Sequence, residues 1–373
     1  MSKAPLPKLI IASSDHDADM LYATGFFVPD AFIFLQQGNR STIVLSDLEI
    51  DRGRKEARVD KIVAYSELSK RLKKGKDASF IEHTVAFLQE RKVRRAAVPV
   101  SFPLGLANDL AKAGIQLVPQ PGLFWPQREH KTADELKLMK QATLITEAGM
   151  ARGVEVLRAA QIGPKKALRW NGQPLTSEIL RAEIDSAILR AGGVPANTIV
   201  AGGEQACDPH ERGRGLLRAH ELIILDIFPR SAASGYYGDL TRTVVRGKAS
   251  EAQRRLWDTC LEGQKRAFRA IKPGQPGKAV QDGVREFFTA QGYPTEQRHG
   301  RWNGFFHGLG HGLGLEIHES PRVAATTFHP GQVVTVEPGI YIPGLGGVRH
   351  EDVITITKTG HRLLSSFPKA MEV

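Results

Sequence analysis

Four acidic residues and one histidine stand among strand-like segments in the second half of the chain. In chain order, these side chains are Asp226, Asp239, His311, Glu337 and Glu351. A folded interior cannot gather four carboxylates unless cations neutralise their charge. A fold that brings these residues together must therefore also bind cations, and a pair of divalent ions would create a hydrolytic centre.

The two aspartates border neighbouring apolar segments. Asp226 ends the run ELIILD, and Asp239 precedes the run LTRTVV. Taken alone, Asp226 is also typical of a turn residue placed shortly before Pro229. The intervening PRSAASG is rich in turn-forming residues, so the two segments are predicted to form a hairpin on which the aspartates face each other.

A glycine-rich stretch, HGLGHGLGLEIHE, carries three histidines, His307, His311 and His318. Alternating glycines oppose a regular helix. The glutamate of the helical zinc motif HExxH is missing, and no Gly-Lys-Ser/Thr follows as in a phosphate-binding loop. A single histidine is typical of a structural residue, whereas three on a flexible glycine-rich backbone predict a site.

The two glutamates lie at the edges of predicted strands. Glu337 ends VVTVE, which the following Pro-Gly terminates, and Glu351 opens EDVITIT. Each of them, taken singly, is equally compatible with a surface carboxylate. Only their combination with the aspartates and His311 favours a metal site.

The pattern of apolar residues predicts an α/β domain over residues 1–122, a linker over 123–133 and an α+β domain over 134–373. In the first domain LIIAS, AFIFLQ, STIVLS, KIVAY and AAVPV are strand-like, and SFIEHTVAFLQERK is helical. The linker is predicted from the prolines and glycine of VPQPGLFWPQREHK. Thr132 and Glu135 form a capping box that predicts the start of a long helix.

The second domain alternates helical and strand-like blocks. The helix SEILRAEIDSAILRAGG is expected to bury Ile179, Ile184 and Ile188. Two further helices are predicted around residues 251–271 and 278–291. Strands are predicted in NTIVAGG, ELIILDIF, YYGDLTRTVV, QVVTVEPGIYI and EDVITITKTG, which is typical of antiparallel pairing.

The net charge of +11 raises the possibility of nucleic-acid binding. The densest basic stretches, at residues 70–76 and 91–95, contain no aromatic residues for base stacking and are interpreted as solvated surface. Two widely spaced cysteines, no signal-like apolar core in MSKAPLPKLI and no apolar run near 20 residues favour a cytoplasmic protein without membrane contact.

In this order and context, the motifs resemble those of the pita-bread metallopeptidases, which include aminopeptidase P, prolidase and methionine aminopeptidase, with creatinase as a non-metal relative. The matching motifs are DLTRT at Asp239, HGLGHGLGLEIHE, VEPG at Glu337 and GVRHED at Glu351. The preceding α/β segment favours the Xaa-Pro peptidase branch. The aspartates lie thirteen positions apart, two more than usual in the family. An insertion of two residues in PRSAASG preserves the strand face.

The resemblance implies a curved antiparallel catalytic domain with two divalent ions, manganese or else cobalt, zinc or iron. Its implied ligands are Asp226, Asp239, His311, Glu337 and Glu351. Asp239 and Glu351 would bridge the ions, and Glu337 would act as general base toward a metal-activated water. His318 matches the position nearest the oxyanion, and His210 matches a histidine of the substrate pocket. His307 and Arg349 match residues that support the ligands.

The implied substrates are short peptides with an Xaa-Pro bond, and the implied assembly is a homodimer without nucleic acid. Arg322 is a candidate for binding the terminal carboxylate of a dipeptide, and otherwise it is a plain surface arginine. Dipeptidase and aminopeptidase activities thus both stay open. Two further alternatives are a creatinase-like hydrolase without metal and a catalytically silent module that binds protein or nucleic acid.

Overall fold

The computed structural model describes residues 5–373, apart from the side chain of Lys76. The first four residues of MSKAPLPKLI and the last side chain of the basic stretch 70–76 thus lie outside the described residues. The chain divides into two compact units, Met1–Arg128 and Glu129–Val373. The division falls inside the segment 123–133 that the sequence predicts as a linker. Within the described part of the chain, no helix is both long and apolar enough to cross a membrane.

The first unit is built on a six-stranded mixed sheet. From one edge to the other, its strands are Lys61–Ala64, Arg40–Leu45, Phe32–Gln37, Lys8–Ala12, Arg95–Pro99 and Gln116–Gln120. The first two pair in parallel, as do the last three, and the remaining neighbours are antiparallel. All five predicted strands are confirmed. The sequence analysis missed the edge strand Gln116–Gln120, whose residues are half-buried or exposed.

Successive residues of the central strand enter different cores, because side chains alternate across a strand. Leu9 and Ile11 pack with Phe87 and Leu110 in one core. Ile10 packs with Met20 and other apolar residues in a second core on the opposite face. Both faces of the sheet are therefore covered. The helices of this unit are Ala18–Thr24, Ile50–Glu56, Tyr65–Ser69, Phe80–Glu90 and Leu104–Lys112.

The predicted linker begins with two residues that belong to the first unit's core. Phe124 and Trp125 are 1% and 9% exposed and pack with Phe34 and its neighbours. The amine of Lys8 donates a hydrogen bond of 2.6 Å to the carbonyl of Phe124. This part of the segment is therefore held by packing within the first unit.

The second unit begins with two helices that pack on an antiparallel three-stranded sheet. The helix Ala133–Ala159 starts at the predicted capping box, with both reciprocal hydrogen bonds present between Thr132 and Glu135. The helix Ser177–Arg190 buries Leu180, Ile184 and Ile188. Ile179 is only partly buried, because the inward face of the helix runs through the next residue. The strands of the sheet are Ile199–Gly202, Leu222–Ile227 and Leu240–Val245.

The later part of the second unit repeats this arrangement. The helices Glu251–Ala270 and Gly277–Ala290 share a core with strands from the end of the chain. The five strands of this sheet, in spatial order, are Glu319–Arg322, His311–Gly312, Val333–Val336, Asp352–Ile356 and His361–Leu363. All neighbouring pairs are antiparallel. Antiparallel sheets backed by helix pairs agree with the predicted α+β architecture of this region.

Shorter strands complete the second unit. They are Gln161–Ile162, Leu168–Trp170, Gln173–Pro174, Gly193–Val194, Arg230–Ser231, Glu296–Arg298, Arg301–Asn303, Gly339–Ile342 and Gly346–Arg349. The two cysteines also lie here, and both are buried and free. The thiol of Cys260 donates to the carbonyl of Pro338 over 3.2 Å. Burial raises the pKa of both thiols to about 12, as expected for a charge that would form away from water.

Candidate metal centre

The two aspartates lie on the same face of adjacent antiparallel strands. Asp226 is paired with Thr241, and Asp239 stands two positions before Thr241. Because side chains alternate with a period of two, these three residues point to one side of the sheet. The connection is wider than a tight hairpin, since Arg230–Ser231 pairs with Gly193–Val194 on its way between the strands.

The glycine-rich segment, residues 307–318, is closely packed, whereas the sequence analysis expected a flexible backbone. A Cβ atom at Gly310 would lie 2.0 Å from the carbonyl oxygen of Thr335, and one at Gly312 would lie 2.4 Å from that of Ser320. Only glycine allows such backbone approaches. They let His311 enter a buried strand, where its N–H donates to the Thr335 hydroxyl over 3.1 Å.

Both glutamates enter the same region from neighbouring segments. Glu351 is 2% exposed, and its N–H donates to the carbonyl of Thr241 over 3.1 Å. The side chain of Glu337 is 18% exposed, and its N–H donates to the carbonyl of Leu309 over 2.9 Å. The interpretation of these two residues as surface carboxylates is therefore wrong.

Three of the predicted ligands form a tight buried group. Ligand atoms of Asp239, His311 and Glu351 all lie within 4.8 Å of one another. The imidazole Nε2 of His311 is 3.7 Å from Asp239 Oδ2 and 3.3 Å from Glu337 Oε1. Its other nitrogen, Nδ1, lies 3.1 Å from the carbonyl of Gly312, which leaves Nε2 directed at the carboxylates. This backbone contact orients the ring as a ligand requires.

The hydroxyl of Thr241 joins the fifth predicted ligand to the group. Its Oγ1 atom lies 2.8 Å from Asp226 Oδ1 and 2.7 Å from Glu351 Oε2. A hydroxyl donates one proton, so it can bond as a donor to only one of these carboxylates at a time. The structure thus gathers all five predicted residues around one small volume.

Mutual repulsion and burial dominate the electrostatics of this volume. Burial raises the pKa of Asp239 well above its usual value, and the charges of Asp226 and Glu337 add to the effect. Burial likewise raises the pKa of Glu351, with Asp239 as the next contributor. The pKa of Glu337 rises to about 7, again chiefly through burial. Burial lowers the pKa of His311 to about 4, so this ligand is neutral near neutral pH.

A buried arginine provides internal positive charge at one side of the cluster. Arg349 Nη2 donates to Asp226 Oδ2 over 2.6 Å, and its Nη1 donates to the hydroxyl of Tyr341 over 2.9 Å. That hydroxyl lies 2.8 Å from Nε2 of His307. Burial lowers the pKa of His307 to about 3. Arg349 and His307 are therefore joined through Tyr341 in a layer behind the carboxylates.

The remaining predicted site residues lie toward solvent. His318 is exposed, and its ring packs edge-on against His311 with centroids 4.4 Å apart. Its pKa is lowered by partial burial and then by Arg322 and His210. His210 and Arg322 are exposed as well, and Arg322 stands opposite His311 in the strand register. These three exposed side chains thus form the open side of the cluster.

Three supporting residues were missed by the sequence analysis. They are Thr241, Thr335 and Tyr341, of which Thr335 donates to Glu337 Oε1 over 3.3 Å. The signal for the threonines was present, since each stands two positions from a predicted ligand and therefore on the same strand face. Tyr341 offered no such signal, because its contact with Arg349 depends on how two strands pair.

The donor set fits divalent cations. Carboxylate oxygens with one imidazole suit manganese and other hard or borderline divalent ions. The raised pKa values show that the protein alone does not stabilise these carboxylates as anions. A bound cation would do so, and Asp239, His311 and Glu351 are close enough together for their ligand atoms to share one.

Comparisons with known proteins agree with this chemistry. Residues 137–358 match the model of metallopeptidase family M24. The Xaa-Pro dipeptidase of Pyrococcus furiosus is 34% identical over 248 residues, which are 63% of this chain and 62% of that protein. The chain thus spans less than two thirds of that relative in the alignment. The Xaa-Pro dipeptidase of Pyrococcus horikoshii is 27% identical over 98% of this chain and 94% of its own length.

Solved structures share the fold along the whole chain. The X-Pro aminopeptidase of Thermotoga maritima superposes with a TM-score of 0.83 over 98% of this chain and 97% of its own, at 24% identity. At that identity the likeness shows the fold, which is the predicted pita-bread architecture. Together with the family match over most of the second unit, it shows that the chain belongs to metallopeptidase family M24.

Proposed function

We propose that the protein hydrolyses the Xaa-Pro bond of dipeptides or of short peptides at their N-terminus, with the help of two divalent ions. The observation that carries the proposal is the buried group of Asp239, His311 and Glu351, which Glu337 joins through His311 and Asp226 joins through Thr241. The names of the two Pyrococcus relatives support the choice of substrate. A bond to proline lacks an N–H, so a dedicated pocket favours a specialised enzyme.

Five residues would hold the ions: Asp226, Asp239, His311, Glu337 and Glu351. When bound, such ions polarise the attacked carbonyl and lower the pKa of a water molecule, which provides a nucleophile near neutral pH. Following the family resemblance, Asp239 and Glu351 would be shared by both ions. Manganese is the proposed metal, since oxygen-rich ligation with one imidazole suits it.

Glu337 is proposed as the general base. Burial raises its pKa to about 7 in the metal-free protein, and a carboxylate placed beside the attacking water can accept a proton and return it. The carboxylate would accept the proton of the attacking water and return it to the proline nitrogen as the peptide bond breaks. Its hydrogen bond from Thr335 holds Oε1 on the side of His311.

His318 and His210 are proposed to act on the substrate from the open side of the cluster. The lowered pKa of His318 keeps its ring neutral near pH 7, so it still offers one N–H donor. That donor would stabilise the carbonyl oxygen as it gains charge. His210 would line the pocket, and His307 and Arg349 would keep the ligands in place through Tyr341.

The role of Arg322 bears on whether the enzyme is a dipeptidase or an aminopeptidase. Arg322 is exposed, and its positive charge lowers the pKa of both His318 and Glu337. The guanidinium therefore acts electrostatically on both residues. A guanidinium there suits the C-terminal carboxylate of a dipeptide. We therefore favour dipeptidase activity.

The test compares hydrolysis of Ala-Pro with that of Ala-Pro-Ala in the presence of Mn²⁺, with products identified by mass spectrometry. Preferred cleavage of the dipeptide, with at least a tenfold loss of kcat/KM in Arg322→Ala, is the expected result. Arg190→Ala is the matched control, because Arg190 is an exposed arginine at the end of a helix. Cleavage of the tripeptide alone would make the enzyme an aminopeptidase.

A second measurement tests the two alternative functions, which are a creatinase-like hydrolase without metal and a catalytically silent binding module. Titration with Mn²⁺ in a calorimeter is expected to give two ions per chain. If no ion binds and Ala-Pro is still cleaved, a metal-independent hydrolase replaces the proposal. If neither binding nor cleavage occurs, a silent binding module replaces it. A cytoplasmic location and a homodimeric assembly remain part of the proposal, and the latter is testable by sedimentation.

A further inference from the structure

The segment that follows Arg128 is attached to the loop that carries His318. Residues 129–131 belong to the predicted linker, yet several hydrogen bonds tie them to residues 319–332 in the second unit. Glu129 Oε2 accepts a hydrogen bond of 3.0 Å from the hydroxyl of Ser320. The N–H of Lys131 donates to the carbonyl of Gly331 over 2.8 Å. This part of the chain is therefore anchored within the catalytic unit.

The strongest of these attachments is a buried ion pair. Lys131 Nζ donates to Glu319 Oε1, and the two side chains are only 1% and 2% exposed. Taking both charges out of water costs free energy that a close pair recovers only in part. A surface pair of a lysine with a carboxylate, Lys137 with Asp134, shows that the chain also forms such contacts without burial. Stability alone is thus a weak reason for the buried pair.

Glu319 directly follows His318, and its side chain contacts the glycine-rich segment. Its Oε2 atom accepts a hydrogen bond of 3.3 Å from the N–H of Glu316. A Cβ atom at Gly314 would lie 2.4 Å from Glu319 Oε1, so the carboxylate occupies the space that the glycine leaves free. The backbone of Glu319 also pairs with Gly312. One carboxylate therefore fixes several points of the loop that ends at His318.

His318 itself lies in a bend and is exposed, and its ring contacts that of His311. An exposed side chain on a loop has few contacts of its own to fix its direction. A donor acts on a developing charge only when it is held in place beforehand. Glu319 supplies that hold from the adjacent position, and Lys131 holds Glu319.

We propose that Lys131 and Glu319 form a positioning pair that holds the His318 loop in the orientation needed for the reaction. This inference rests on the proposed function of His318, but the state of the loop can be measured without it. In Lys131→Met, the loop is expected to loosen while the five metal ligands stay in place. Its kcat should therefore fall at least about tenfold, as is typical when a supporting partner of a site is removed.

The experiment compares four full-length proteins loaded with Mn²⁺: wild type, Lys131→Met, the double variant Lys131→Met/Glu319→Gln, and the control Lys137→Met. Four quantities are measured on each of them. They are kcat and KM for Ala-Pro, the Kd for Mn²⁺, and hydrogen exchange of the peptide covering residues 313–320. The urea midpoint is recorded alongside.

For Lys131→Met, we expect a reduced kcat, a KM and a Mn²⁺ Kd within about threefold of wild type, and faster exchange of the Glu316 amide. The double variant removes the buried negative charge as well as the positive one, so its urea midpoint should recover. Its kcat should stay low, because the anchor is still missing. It also keeps the test valid should the single variant fail to fold. The Lys137→Met control should match wild type in every measurement.

Recovery of wild-type kcat and exchange in the double variant would overturn the proposal, since the pair would then only balance charge. Unchanged exchange and kcat in Lys131→Met would overturn it too. If wild type cleaves no Xaa-Pro substrate, the proposed function fails, while the exchange of residues 313–320 still decides whether the pair holds the loop.

Discussion

Glu351 and Asp352 are neighbours in the chain, yet they belong to two opposite kinds of buried cluster. Glu351 faces Asp239, Glu337 and Asp226, and burial together with these charges raises its pKa. Asp352 accepts hydrogen bonds from Arg242 over 2.8 Å and from Lys369 over 2.5 Å. Burial alone would raise the pKa of Asp352, but Arg242 and Lys369 outweigh it and hold the pKa below its usual value.

The contrast distinguishes Asp352, whose charge the protein neutralises with its own cations, from Glu351, whose charge it leaves without a cation in contact. Asp352 also accepts from Ser365 over 2.8 Å and from Gln264 over 3.2 Å, so its charge is satisfied by the protein itself. Around Glu351, the nearby cation Arg349 contacts Asp226 instead. Burial is similar in the two clusters, and the supply of internal cations decides which of them can bind an external one.

The largest effect is expected from removing a carboxylate of the metal cluster. Asp239→Asn should lose bound Mn²⁺ and lower kcat/KM for Ala-Pro by at least about 1,000-fold, because ions in such sites supply several kcal/mol to catalysis. Metal content by mass spectrometry and initial rates measure both effects.

Glu337→Ala should also abolish turnover, since general bases contribute about 10²–10⁴-fold.

The matched control for this prediction is Asp134→Asn. Asp134 is an exposed carboxylate paired with Lys137 on the surface. Its loss should leave metal content and turnover unchanged. Normal hydrolysis by purified Asp239→Asn or Glu337→Ala would contradict the assignment of the site.

Removing the paired carboxylate should instead affect folding. Asp352→Asn leaves Arg242 buried without its ion-pair partner, which typically costs about 3–5 kcal/mol of the free energy of unfolding. Urea denaturation of the metal-free protein measures this loss. The folded variant should still bind Mn²⁺. A loss of metal binding without a loss of stability would show that the two clusters are not separate.

The protons released when Mn²⁺ binds should identify the metal-binding cluster without any substitution. The raised pKa of Glu337, about 7, keeps this carboxyl group mostly protonated at pH 6, so metal binding must displace protons. More protons per ion should therefore be released at pH 6 than at pH 8.5. Calorimetry in buffers with different ionisation enthalpies measures the number. Equal release at both pH values would contradict the shared carboxylate site.

The same shifts give opposite pH dependences of stability in the metal-free protein. The contribution of protonated Glu337 is fully present below its usual pKa of 4.5 and is lost as the pH rises through about 7. The contribution of ionised Asp352 is present above its usual pKa of 3.8 and is lost as the pH falls through its lowered value. Urea midpoints between pH 3 and 8 should therefore pass through a maximum.

The smallest effect is expected at Tyr341, which joins Arg349 to His307. Tyr341→Phe removes one hydroxyl and leaves Arg349 with its contact to Asp226. A single hydrogen bond contributes about 1 kcal/mol, so kcat/KM should fall by roughly fivefold with metal content intact. A loss as large as that of Asp239→Asn would move Tyr341 into the reacting centre.

The candidate site was predictable mainly because its motifs resemble those of a known family. Alternation along the strands indicated that Asp226 and Asp239 share one face, but the choice of the five residues as metal ligands came from the resemblance. The cations could not be predicted in the same way. Arg349 and Arg242 form ion pairs with carboxylates that lie more than 100 positions away in the chain. Such partners depend on which strands become neighbours, and local patterns do not specify that.

In the fold, too, local sequence patterns predicted helices and strands but not the contacts between residues far apart in the chain. One capping box predicted the helix Ala133–Ala159, and apolar runs predicted the main strands of both units but not the edge strand Gln116–Gln120 or most of the short strands. The prolines and glycine of residues 123–133 signal a break in regular structure, but they carry no information on whether the segment is buried. Phe124 and Trp125 on one side, and Lys131 on the other, are each held by partners far away in sequence.

The burial of Cys207 and Cys260 has a practical consequence for spectroscopy. A thiol with a pKa of about 12 carries almost no thiolate at neutral pH and reacts slowly with maleimides and methanethiosulfonates. The native cysteines can therefore remain in place while a single new cysteine at an exposed position takes up a fluorophore or spin label. Distances between such a label and Mn²⁺ in the centre would then report directly on where the ions sit.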